Sequence, residues 1–111
     1  MSKKITEQDI IDSVASACQY ISFYHPEDFV KGMVEAYEAE KGEAAKNAIG
    51  QILINSKMCA LGHRPLCQDT GSINIFVKVG LKANLELTKE LVDVLNEGVA
   101  KGYTDPDNTL R

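Results

Sequence analysis

Residues 64–71, RPLCQDTG, bring together the side chains of this chain that could do chemistry. Five consecutive positions carry a thiol, a carboxamide, a carboxylate, a hydroxyl and a glycine. A thiolate binds soft or borderline metals, such as the iron of a cluster, when neighbouring donors or a cation lower its pKa. Gln68 can donate and accept hydrogen bonds, and Asp69 can exchange protons or orient a water. The simpler alternative, which the residue types alone favour, is a turn that joins a helix to a strand. Pro65 and Gly71 are the turn-forming residues of this segment.

Composition limits the class of protein. The chain has 111 residues, of which 44% are hydrophobic and 25% charged, and this fits one ordinary domain. Its net charge of -4, without a run of Lys or Arg, argues against a nucleic-acid partner. The polar N-terminus and the absence of an apolar run of about 20 residues predict no membrane span and a cytoplasmic protein. Three cysteines are too few for a disulfide scaffold, which agrees with a reducing compartment.

Helical spacing of apolar residues predicts four helices. They run over residues 6–23, 26–41, 43–60 and 85–101, and the third stops at Gly62. We expect Thr6 and Asn84 to cap the first and last helices. We also expect Gly102 to end the last helix in the left-handed conformation. RPLCQDTG is then the loop that follows the third helix.

After this loop, apolar residues recur at every second position, and no longer at helical spacing. The apolar residues Ile73, Ile75, Val77 and Val79 alternate with Ser72, Asn74, Phe76 and Lys78, which predicts a β-strand with one strongly apolar face, ended by Gly80. The fold class is therefore α+β and predominantly helical. A single strand leaves its backbone groups unpaired, so either a second strand lies in a segment predicted as loop or helix, or its partners come from missing polypeptide. We expect a fragment whose sheet the missing polypeptide completes.

The exact residue sequence of the loop favours a functional site over a simple connecting turn. RPLCQDTG followed by SINIFVKVG resembles the signature of the iron-sulfur-dependent class I fumarate hydratases and their tartrate dehydratase relatives. YISFYHPEDFVKGM, AAKNAIGQILINSKMCALGHRPLCQDTG and NEGVAKGYTDPDNTLR each resemble the N-terminal region of the long single-chain fumarases. The resemblance implies that residues 1–111 are the N-terminal part of the cluster-binding catalytic domain of a longer chain.

The resemblance also implies a reaction, a cofactor and site residues. Class I fumarases reversibly hydrate fumarate to L-malate at a 4Fe-4S cluster held by three cysteines, and they assemble as homodimers. The matching ligand here is Cys67. Gln68 and Asp69 inherit substrate binding, with proton transfer by Asp69. Arg111 matches an arginine that binds a substrate carboxylate, for which a guanidinium fork is well shaped.

The other two cluster ligands of the family lie beyond residue 111. Cys18 falls on the apolar stripe of the first helix and is predicted to be a buried hydrophobe. Cys59, at the end of the third helix, matches no ligand of the family. Because one thiolate cannot hold a cubane, we expect this chain alone to lack the cluster and to be inactive.

Two alternatives remain open. One is a piece of an L-tartrate dehydratase, whose family shares the CQDTG motif; the PDNTLR ending favours fumarate. The other is a complete small module that binds a partner or an anionic metabolite. A fragment predicts exposed apolar faces and an unpaired strand edge, whereas a complete module predicts a closed core and an internally completed sheet. His63 and Arg64 could steer an anionic substrate, although the favoured interpretation of His63 is a plain polar loop residue.

Overall fold

A computed structural model describes residues 3–67 and 72–107. In chain order, the elements in these ranges are β1 (Lys4–Thr6), α1 (Glu7–Phe23), α2 (Glu27–Ala39), α3 (Glu43–Gly62), β2 (Asn84–Glu86) and α4 (Leu91–Thr104). The predicted α+β, predominantly helical class with four helices is confirmed for the described residues. They group into two compact units, one of residues 3–19 and 72–107 and one of residues 20–67.

The sheet of the first unit is a short parallel pair. β1 and β2 align with Ile5 opposite Leu85, and Lys4 Nζ lies 3.1 Å from Glu86 Oε1 across the pair. β2 occupies a segment that was predicted as helix. The described residues therefore contain one pair of strands, but neither β1 nor β2 is the strand predicted after the loop or a partner for it.

The start of α1 agrees with its predicted cap. The Asp9 backbone N–H donates to Thr6 Oγ1 at 3.1 Å, and the Thr6 N–H donates to Asp9 Oδ2 at 3.0 Å. This reciprocal pair satisfies two backbone donors that the first turn of a helix leaves unpaired. The side chain of Thr6 therefore joins the end of β1 to the first turn of α1.

The start and end predicted for the last helix are both wrong. Asn84 is no helix cap, because Leu85 beside it pairs with β1, and the helix begins only at Leu91. Gly102 lies inside α4, where an added Cβ would come within 3.1 Å of the Ala15 backbone oxygen. Its role is therefore close packing of α4 on α1, and not termination.

The strand predicted over residues 73–79 is also wrong as an element. Residues 72–80 adopt neither strand nor helix, and no described strand lies beside them to pair with their backbone. The facing of these residues follows the alternation only in part. Ile73 and Ile75 line a cavity of about 450 Å³ with residues of α4, and so does Ser72, whereas Phe76, which follows Ile75, is 95% exposed.

The second unit contains α2 and α3. α2 follows Pro26, as predicted, and none of its side chains is buried. α3 ends at Gly62, and the next residue, His63, takes the left-handed conformation with φ 50°. The buried apolar side chains described in this unit are Phe23, Cys59 and Leu66.

Several large apolar side chains described by the structure are exposed. They include Tyr20, Ile21, Phe29, Val34, Ile52, Ile54, Met58, Leu61, Phe76, Leu81 and Val92. These exposed side chains match what a fragment predicts, whereas the internally paired β1 and β2 match what a complete module predicts. Separately, none of the helices within residues 3–67 and 72–107 combines the length and apolarity needed to cross a membrane.

Candidate functional site

The three thiols differ sharply in exposure. Cys67 is exposed, whereas Cys18 and Cys59 retain only 3% and 4% of their accessible surface. Burial raises the pKa of the Cys18 thiol, which keeps it protonated and unsuited to metal binding. The predicted burial of Cys18 is confirmed. Of the three cysteines, Cys67 alone offers its sulfur to a ligand from outside.

The segment that carries Cys67 begins at a fixed corner. The His63 ring stacks on Phe23 with ring centroids 5.5 Å apart, and its Nε2 lies 2.9 Å from the Tyr24 hydroxyl. These contacts hold a non-glycine residue in the left-handed conformation, which side chains generally disfavour. His63 therefore acts as a structural corner, in line with the simpler of its two interpretations.

Backbone hydrogen bonds hold the next residues of the segment. The Arg64 N–H donates to the Cys59 carbonyl oxygen at 3.2 Å, and the Leu66 N–H donates to the Ser22 carbonyl oxygen at 2.8 Å. Leu66 is also buried. The residue directly before Cys67 is thus fixed both by packing and by a hydrogen bond.

Two side chains of α3 complete the set of contacts. The Cys59 thiol donates to the Pro65 carbonyl oxygen at 3.3 Å. The Cys67 backbone N–H donates to Asn55 Oδ1 at 3.1 Å. Sequence patterns did not identify Asn55, because its contact spans twelve positions of the chain. The available signal was a carboxamide four residues before Cys59, which places both side chains on one helix face.

A cavity of about 540 Å³ adjoins the thiol. Its lining residues are His25, Phe29, Gln51, Ile52, Asn55 and Cys67. This volume lies within the range of small-molecule sites, which typically combine apolar walls with a few polar groups. His25 packs on Phe29 with ring centroids 4.5 Å apart, and its Nδ1 is shielded from solvent without a hydrogen-bond partner in the described part of the chain.

The predicted site residues are only partly covered by the structure. Cys67 is described, whereas Gln68, Asp69 and Arg111 lie outside the described residues. Within residues 3–67 and 72–107, no three His, Cys, Asp or Glu side chains are grouped to hold a metal ion. The exposed thiol of Cys67 on a tethered segment fits one ligand of an iron-sulfur cluster, provided that the other ligands come from elsewhere.

Comparison with known proteins shows to which family the chain belongs. The sequence model of the family described as "Fumarate hydratase (Fumerase)" matches residues 11–111. This chain belongs to the fumarate hydratase family. The suspected membership is thereby confirmed, and with it the kinship to tartrate dehydratases.

Individual relatives of this family member carry tartrate dehydratase names. A Methanocaldococcus jannaschii protein, provisionally assigned as an L(+)-tartrate dehydratase subunit alpha, is 35% identical over 92 residues, which cover 83% of this chain and 32% of the relative. The L(+)-tartrate dehydratase subunit alpha of Escherichia coli is 31% identical over 98 residues, 88% of this chain and 32% of the relative. That of Shigella boydii gives the same values. The chain spans about a third of the length of these relatives, and no solved structure matches it significantly.

Proposed function

We propose that this chain is the N-terminal, cluster-ligating part of a hydro-lyase that reversibly hydrates fumarate to L-malate. Membership of the fumarate hydratase family over residues 11–111 is the observation that carries the proposal. Residues 1–111 then form part of the cluster-binding catalytic domain, and the remaining polypeptide supplies the other ligands. The complete protein is proposed to act as a homodimer in the cytoplasm.

Cys67 is the proposed cluster ligand in this chain. Its exposure and its tethered backbone support that role, as does the burial of the other two thiols. A 4Fe-4S cluster supplies a Lewis acid at an iron that lacks a protein ligand. The contribution of this chain is to hold one thiolate at a fixed place beside a cavity large enough for a dicarboxylate.

The proposed substrate contacts follow from residue chemistry. Gln68 donates a hydrogen bond to the substrate, and Asp69 exchanges the proton that is added or removed at carbon. Arg111 pairs its guanidinium with a substrate carboxylate, because the fork of N–H donors matches two carboxylate oxygens. All three belong to sequence that resembles the family motifs.

Dehydration of L-tartrate is the second candidate function. The names of the relatives favour it, since both the Methanocaldococcus and the Escherichia proteins are called tartrate dehydratase subunits. Either reaction adds or removes water on a four-carbon dicarboxylate, and Cys67, Gln68 and Asp69 serve both equally. The kcat/KM values of the complete enzyme for fumarate, L-malate and L-tartrate decide between them, with the larger value naming the substrate.

A cysteine exchange tests the proposal. In the complete protein, prepared without oxygen, we expect Cys67→Ala to lose its cluster iron and its activity, because two remaining ligands hold a cubane poorly. Cys18→Ala is the matched control, since it also removes a thiol but from a buried position outside the site. The control is expected to keep its iron. Full iron content in Cys67→Ala would contradict the proposal.

A further inference from the structure

One face of α3 holds the segment that carries Cys67. Asn55 and Cys59 lie four positions apart on this helix, so their side chains project from the same face, one turn from each other. They reach the segment two residues apart, at the Cys67 N–H and the Pro65 carbonyl oxygen, over 3.1 and 3.3 Å. The helix therefore grips the backbone of the segment at two points.

The direction of the Cys67 side chain depends on these hydrogen bonds to the backbone. Because the thiol is exposed, packing around the side chain does not fix its direction. Leu66 is fixed by burial and by its hydrogen bond to Ser22, but that bond acts one residue before the ligand. The bond to Asn55 is the described contact that acts on Cys67 itself.

We infer that Asn55 is the positioning residue for the Cys67 ligand. The inference rests on the proposed function, because it presumes that the Cys67 sulfur binds the cluster. Groups that orient a metal ligand through hydrogen bonds affect metal retention without touching the metal. Asn55 acts through the backbone of Cys67, so its loss leaves the ligand present but free to turn away.

The hydrogen bond can be tested in this chain without any cluster. We expect Asn55→Ala to speed hydrogen exchange of the Cys67 amide by about two- to tenfold, the range that one net hydrogen bond provides. The Leu66 amide, which donates to Ser22, keeps its wild-type rate. Asn55→Asp retains an acceptor of the same shape and restores slow exchange at Cys67.

Asn47→Ala provides the matched control. Asn47 lies on α3, two turns before Asn55, is exposed, and makes no side-chain hydrogen bond within the described residues. Its substitution removes the same carboxamide from the same helix without touching the segment. Wild-type exchange of the Cys67 amide in Asn55→Ala, or equal acceleration in Asn47→Ala, would overturn the inference.

Iron release from the complete, cluster-loaded protein tests the consequence. With a chelator in excess, we expect Asn55→Ala to release iron about two- to tenfold faster than wild type, while Asn47→Ala matches wild type. Cys67→Ala separates two kinds of failure. If Cys67→Ala keeps its iron, the proposed function fails. If it loses iron while Asn55→Ala releases iron at the wild-type rate, this inference alone fails.

Discussion

Local surroundings divide three chemically identical thiols into separate roles. Cys18 is buried where α4 approaches α1 at Gly102, and burial raises the pKa of its thiol. The Cys59 thiol is buried and donates to a carbonyl oxygen. Cys67 is the exposed one of the three, so its sulfur is the one accessible to the proposed cluster.

The pKa of the Glu7 carboxyl group likewise depends on its surroundings. As the first residue of α1, it accepts hydrogen bonds from the Thr88 N–H, from the Thr88 hydroxyl at 2.8 Å and from the Lys89 N–H at 3.2 Å. The backbone bond from Thr88, followed by its hydroxyl bond, holds the pKa of Glu7 below its usual value, and the Lys89 charge adds to the effect. The carboxylate thus fixes the chain after β2 to the start of α1.

We expect Glu7→Gln to lower the free energy of unfolding at neutral pH. A carboxyl group whose pKa is lower in the folded state stabilises the fold above its unfolded pKa, and this contribution disappears as the pH falls through the folded value. The difference between wild type and variant should therefore shrink in acid. Urea unfolding at neutral and acidic pH measures it.

Glu27→Gln is the control for this change. Glu27 is likewise the first residue of its helix, so both substitutions remove the same favourable interaction with a helix dipole. Its side chain makes no hydrogen bond in the described part of the chain. A pH-dependent loss as large in Glu27→Gln as in Glu7→Gln would mean that the Thr88 contacts do not stabilise the fold.

At the scale of elements, two glycines determine how closely α4 approaches α1. A Cβ at Gly98 would lie 2.7 Å from Val14 Cβ and 3.1 Å from the Ile11 carbonyl oxygen. A Cβ at Gly102 would lie 3.2 Å from Cys18 Cβ. Because backbone atoms form part of this contact, rotation of a flexible side chain cannot relieve it.

We expect Gly98→Ala to destabilise the first unit. Alanine gains about 1 kcal/mol in helix propensity, but overpacking of a tight contact costs about 1–3 kcal/mol. Gly32→Ala is the matched control, since Gly32 lies within α2 and an added Cβ meets nothing within 4 Å. Gly32→Ala should raise the free energy of unfolding by up to about 1 kcal/mol. Chemical denaturation measures both, and equal stabilisation by the two substitutions would contradict the close approach.

Local signals predicted the elements that depend on local interactions. Thr6 caps α1, Pro26 precedes α2 and α3 ends at Gly62. The pairing of β1 with β2 brings together three-residue segments about eighty positions apart, and neither segment carries a pattern long enough to show it. Asn84 was therefore interpreted as a helix cap.

Residues 72–80 and the candidate site also show that local sequence signals do not reveal contacts between distant segments. Ile73 and Ile75 line one cavity, as the alternation predicts, but Ser72 lines it too, and a strand also requires a neighbour, which the side-chain pattern does not encode. For the site, residue types singled out Cys67. The hydrogen bond from Cys67 to Asn55 depends on how the segment folds back along α3, and so it became visible only in three dimensions.

At the scale of the whole molecule, exposed apolar surface is the main feature of this chain. Phe76 is 95% exposed and Leu81 is fully exposed, both in a stretch without strand partners among the described residues. Exposed apolar patches and unpaired backbone are surfaces on which polypeptide docks. We therefore expect the isolated 111-residue chain to self-associate through this stretch.

Replacing both side chains tests this expectation. We expect the double variant Phe76→Ser, Leu81→Ser to raise the concentration at which the chain self-associates by about tenfold or more, because burial of one large apolar side chain contributes about 1.5–3 kcal/mol. Val92→Ser is the control, since Val92 is an exposed apolar residue within α4. Sedimentation over a range of concentrations measures the effect. A wild-type chain that stays monomeric throughout, or an equal shift in Val92→Ser, would show that this stretch does not drive association.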